Sequence, residues 1–227
     1  MRSQTFLRIM ARWLAIDYGQ EAATIALGDG ETIVREREWP ARQASENGII
    51  EIGRLLAETG TTRANLDALA WISGPGSFTG LRIAAATIQG LAWVWDKPVA
   101  SIPHLAILAY TCRKPVGRVP VCACLDARMH ELYWACYHIS EGIWPEGLIR
   151  VGSASDVRLP AGDWTGVGDV LDRPESRPFR DQMAQVELRP PVRAGTLLPL
   201  AELAFRSGRM GNAQAVIPLY IRDKVVR

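Results

Sequence analysis

The sequence predicts a layered α/β protein built from two related halves. Three observations point there. The first half reads, in order, as three strands, a helix, a strand and a helix. The second half opens on another strand hairpin and closes on a helix. Of the 227 residues, 48% are hydrophobic, enough to bury a substantial core. No tandem repeat of fixed period is visible, so the duplication shows only in the order of the elements. The division is placed between residues 1–103 and 104–227.

The first strand is the apolar run Leu14 to Asp17, ended by Tyr18 and Gly19. Ala22 to Leu27 resumes extended structure, Gly28-Asp29-Gly30 signals a hairpin, and Thr32 to Glu38 returns before Pro40. A helix follows from about Ser45 to Glu58. Its apolar residues Ile49, Ile52, Leu55 and Leu56 share one side, and Gly60 stops it. A strand over 68–72 leads into a glycine-rich loop. A helix then spans Gly80 to Trp95, with Leu81, Ala84, Ala85, Ile88, Leu91, Ala92 and Trp95 at helical spacing. Val99 to Ile102 is a short strand, and Pro103 opens a helix to about Thr111. Val119 to Leu125 and Leu132 to His138 form the second hairpin around a turn at 126–130. Trp164 to Asp169 reads as a strand reaching a tight turn. Leu197 to Arg206 is the last helix, stopped near Gly208, with Tyr220-Ile221-Arg222 beyond it.

The formal net charge is +2. The positive residues Arg12, Arg35, Arg37 and Arg42 are interleaved with acids, which fits a solvated face rather than a nucleic-acid stripe. No apolar run reaches membrane length. Met1 to Trp13, with Arg2, Arg8 and Arg12, reads as an extension before the first strand rather than a signal peptide, and a cytoplasmic location follows. Of the cysteines Cys112, Cys122, Cys124 and Cys136, the second and third share one strand face. Their spacing is not that of a zinc knuckle, and His104, His130 and His138 form no H-x-x-x-H pair. Free buried thiols and no dedicated metal site are the expectation.

The most informative stretch is GPGSFTGLR at 74–82, placed between strand and helix. Ser77 or Thr79 caps the helix, and the free N–H groups at its start either face an anion or set the helix at an interface. The rest of the chain favours the interface. G-x-x-x-x-G-K-[ST] is absent, and the loop is not the G-x-S-x-G nucleophile elbow. Asp17, at a strand end, either contacts a nucleotide through hydrated Mg²⁺, with Gly19 admitting a phosphate, or caps a turn. Asp126 is a weaker counterpart in the second hairpin. Gly168 and Asp169 either face a nucleotide or close a strand. No catalytic residue is assigned.

The segments LAIDYGQEAATIAL at 14–27, ISGPGSFTGLRIAAATIQGLA at 72–92, CLDARMHELYWACY at 124–137, GVGD at 166–169 and PLYIRDKV at 218–225 together resemble the TsaB/YeaZ family. The resemblance implies an actin-like/Hsp70-like ATPase (ASKHA) fold of two related lobes, each a mixed sheet flanked by helices. It implies a non-catalytic scaffold and activator subunit for threonylcarbamoylation of adenosine 37 in tRNA. Its partners would be a TsaD-like catalytic subunit and a TsaE-like ATPase, with tRNA met mainly through the complex. A homodimer would use the same face.

That resemblance also assigns the interface to two helices: Gly80, Arg82, Ala84, Ala85, Ile88 and Leu91 on one, with Ile49, Ile52 and Leu56 on the other. No cofactor is required by the chain itself; ATP or ADP with Mg²⁺ at Asp17, Gly19, Gly168 and Asp169 is the ligand to test. Two departures stand out. Ala44 replaces a histidine of an RQHSE-like run, and Asp17-Tyr18-Gly19 replaces Asp-Thr-Ser or Asp-Thr-Ala. Asp-x-Gly resembles active members of the wider ATPase superfamily, so an independent ATPase or small-molecule kinase is the alternative, separable by ATP turnover of the lone chain. An RNA-binding module is the third reading, separable by salt-sensitive tRNA binding.

Overall fold

The computed structural model describes residues 10–113, 118–140, 142, 144–188 and 191–221. Arg2, Arg8, Arg222 and the end of the PLYIRDKV segment, singled out above, lie outside them.

Two five-stranded sheets form the frame. The first takes β1 (Arg12–Asp17), β2 (Ala22–Asp29), β3 (Thr32–Pro40), β4 (Ala68–Gly74) and β5 (Val99–Pro103) in the order β3-β2-β1-β4-β5. The second takes β6 (Val119–Arg128), β7 (Glu131–Ile139), β8 (Arg150–Ser153), β9 (Trp164–Gly168) and β10 (Met183–Glu187) in the order β10-β9-β6-β7-β8. Each opens with an antiparallel meander and then adds two parallel strands beside its first. The sheets share one topology, and the duplication inferred from element order is real.

Among the described residues five α-helices accompany the strands: α1 (Ala44–Glu58), α2 (Phe78–Trp95), α3 (His104–Thr111), the short α4 (Arg177–Arg180) and α5 (Leu198–Arg206). Alternation across β1 sends Leu14, Ile16 and Tyr18 toward α1 and α2. It sends Trp13 and Ala15 toward a cluster shared with α3, α5 and the second sheet. The shared cluster joins Ala15, Ala26 and Ala70 of the first sheet to Val121, Ala123 and Ala135 of the second. Small residues there let the helices between the sheets approach closely.

α1 is held to its sheet by packing and by charge. Ile52 and Leu55 face the sheet, while Arg37 of β3 reaches Glu51 at 2.7 Å and Glu58 at 2.6 Å. α5 is fixed by a carboxylate. Glu202 accepts from Ala11 N at 3.2 Å, Trp13 Nε1 at 3.1 Å and Arg206 Nε at 2.9 Å. Removing it would leave buried donors without an acceptor, so α5 and the start of β1 are stabilised together. From there the chain returns along the first sheet. Gly211 bridges Val99, and Ala213 and Val216 join the cluster beneath α2.

Candidate functional site: the outer face of two helices

The glycine loop is built for close packing. Ser77 is the cap, its Oγ accepting from Gly80 N at 3.3 Å, and Ser77 N donates to Gly19 O at 2.9 Å. A Cβ on Gly80 would lie 1.8 Å from Tyr18 O, so only glycine lets the start of α2 meet the turn after β1. The loop thus sets the start of α2 directly against that turn.

Asp17 sits at the end of β1, 1% exposed. Its Oδ1 accepts from Gly19 N at 2.9 Å, and its Oδ2 has no partner. Burial raises its pKa to about 7, against the pull of the Gly19 N–H. His104, also buried, places Nδ1 3.1 Å from Pro75 O and 2.9 Å from Gln20 Nε2, and burial lowers its pKa to about 4. On the second sheet Gly168 has φ +144°, and a Cβ there would stand 1.8 Å from Cys124 O. Asp169 accepts from Asp126 N at 3.2 Å, while Asp126 is held ionised by Arg173, 3.0 Å away. The N–H groups of Gly19 and Ser77 are committed to protein acceptors, and Asp17 is enclosed. As they stand, the Gly19 and Ser77 N–H groups have no bond to spare for a phosphate.

Cys122 and Cys124 lie with sulfurs 3.7 Å apart, and Cys136 pairs across from Cys122. Contact with the Cys124 thiol and then burial raise the pKa of Cys122, against the opposing contact with Cys136, and contact with Cys122 and then burial raise that of Cys136. Among the described residues no three His, Cys, Asp or Glu side chains are grouped to hold a metal.

The interface residues divide by burial. Ile52, Gly80, Ala84, Ala85 and Ile88 point inward, and all but Gly80 belong to the cluster between α1, α2 and the first sheet. The apolar periodicity of the two helices marks the face packed on the chain's own sheet, as it does for most amphipathic helices. Ala85 is 7% exposed, so a charged side chain there would damage the fold before it tested docking. Leu56 and Leu91 are half-buried beside that core. Ile49 and Arg82 do face outward.

The outward face has further members. Trp93 is 69% exposed and Val94 68%. Ile49, Ala86, Thr87, Gly90, Leu91, Val94 and Trp95 line an open groove of about 460 Å³ between the helices. Sequence reasoning missed Gly90, Trp93 and Val94 because they are out of phase with the core stripe. The available signal was that α2 is apolar all round, which a helix covered on one side alone does not need.

A family model described as TsaD: tRNA N6-adenosine threonylcarbamoyltransferase matches residues 38–163, a span that includes α1, α2 and the second hairpin. The tRNA threonylcarbamoyladenosine biosynthesis protein TsaB of Escherichia coli is 31% identical over 226 residues, covering 94% of this chain and 96% of its own. The chain belongs to the TsaB/YeaZ family. A solved structure of YeaZ from Pseudomonas aeruginosa superposes with a TM-score of 0.78 at 31% identity, over 93% of this chain and all of that one. The sheets are those of the actin-like (ASKHA) fold shared with that neighbour. The family's place is that of a non-catalytic partner of TsaD in making threonylcarbamoyladenosine.

Proposed function

We propose that this TsaB-like chain works by docking: the face left outward by α1 and α2 seats a TsaD-like catalytic subunit and holds it in its active arrangement. The observation that carries this is the exposed apolar groove lined by Ile49, Ala86, Gly90 and Val94, with Trp93 beside it. Patches of this kind cost solubility unless a partner covers them. Small residues at 86 and 90 let a second helix approach, and Trp93 supplies the large side chain that interface hot spots favour. The same face serves a homodimer, which then competes with the catalytic subunit. A TsaE-like ATPase joins the complex, and tRNA is met mainly through it. The transfer chemistry belongs to the catalytic partner.

Docking in this reading requires no ATP, ADP or Mg²⁺ on this chain. The test is the double variant Trp93→Ala/Val94→Ala. Its association with the catalytic subunit, measured with and without Mg-ATP, should weaken by tenfold or more in both conditions, and formation of modified tRNA should fall in parallel. Unchanged association would end the docking reading.

A further inference from the structure

At the start of α2, two side chains one helical turn apart meet a third from a distant part of the sequence at the surface. The Arg82 guanidinium lies 3.8 Å over the Phe78 ring and 5.9 Å from the Tyr220 ring, and Arg82 Nε donates to Tyr220 Oη at 3.0 Å. The two rings stand 6.1 Å apart, tilted by 52°, and each is about half exposed. Tyr220 is delivered by the returning C-terminal segment, which Leu219 N fixes to Ser73 O at 2.8 Å. Among the described residues no carboxylate pairs with Arg82.

We propose that Phe78, Arg82 and Tyr220 form a contact site for unpaired RNA. The rings offer planes on which bases stack, and the guanidinium offers a further plane with free N–H donors for a phosphate. An acidic protein segment would need only the charge, and an apolar protein anchor would need a pocket, which these convex rings do not make. The site adjoins the groove, Arg82 standing one helical turn before Ala86 on α2, but shares no residue with the groove's lining. It gives a chain otherwise concerned with docking a direct hold on the tRNA strand, and it is legible only in the fold because 138 positions separate Arg82 from Tyr220.

The probe is a fluorescent single-stranded RNA oligonucleotide, read by anisotropy against the full-length chain without its partner. The wild type should bind at low salt and lose affinity as salt rises. Phe78→Ala and Tyr220→Ala should each weaken binding on the order of tenfold, and Tyr220→Phe, which keeps the ring, by much less. Arg82→Ala should weaken binding and flatten the salt dependence. Trp93→Ala/Val94→Ala should leave RNA binding unchanged, so failure of the docking reading and failure of this one are told apart. No binding by the wild type, or equal binding by Phe78→Ala and Tyr220→Ala, overturns the proposal. Loss of catalytic-subunit association in these two variants with RNA binding intact overturns it too, and assigns the patch to a protein contact.

Discussion

Asp17 and His104 are both buried near the glycine loop, and their titrations oppose each other. Asp17 keeps its proton to about pH 7 in the fold, whereas unfolded it gives it up near 3.8. Its contribution is fully present below the lower value and is lost as pH rises through the upper one. His104 stays neutral down to about pH 4 in the fold, against 6.5 unfolded. Its contribution is present above 6.5 and lost as pH falls toward 4. Each amounts to a few kcal/mol, and between about pH 4 and 6.5 the two slopes largely cancel. Separate variants should expose them. Asp17→Asn should make stability climb with pH over that window relative to wild type. His104→Gln should make it fall from about pH 4 to 7. Urea melts across the range read both, and parallel wild-type and variant profiles would show that neither group is shifted by burial. Asp17→Asn should also leave partner association unchanged, because the carboxylate faces the interior.

The helices show what sequence periodicity delivers and what it hides. The ends of α1 and α2 fall within two residues of those read from apolar spacing and stop signals, because capping and burial follow local rules. The outward face of the two helices does not follow those rules. Its residues are defined by what is left uncovered after Ile52, Ala84 and Ile88 have found the sheet, and that depends on long-range packing. β8 and β10 escaped notice for a related reason. They are short edge strands with no buried side chain, so no apolar alternation marks them. The glycines of α2 separate the two faces by experiment. Gly80→Ala would drive a Cβ into Tyr18 O and should destabilise the fold by several kcal/mol. Gly90→Ala meets nothing within 4 Å and should stabilise α2 by about 1 kcal/mol. Thermal melts of the isolated chain decide it, and equal effects at the two positions would contradict the burial pattern described.

At the scale of the molecule, the duplicated topology was readable in the element order, but the way the halves are joined was not. A division at 103/104 separates the two sheets along the chain, yet the chain's later segments do not stay with the second one. Ala194 N donates to Thr24 Oγ1, Glu202 holds Ala11 and Trp13, and Ala213 and Val216 lie under α2. Residues 194–216 thus supply one wall of the first sheet's core. Hydrogen-bonded and apolar contacts made across so long a loop leave no local signature, because their residue types suit many surroundings. The consequence is that the halves should not fold apart. A fragment of residues 1–103 would expose Trp13 and the alanines of β1 and β4, and would leave the α2 flank open where Val216 packs, an area too apolar for a domain of that size to tolerate. It should behave as an unfolded or aggregating chain by circular dichroism. The full-length chain should unfold in a single transition with coincident far- and near-ultraviolet signals. A folded, monomeric 1–103 fragment would mean that the shared cluster contributes little, and that the α1–α2 face can be presented without the second lobe.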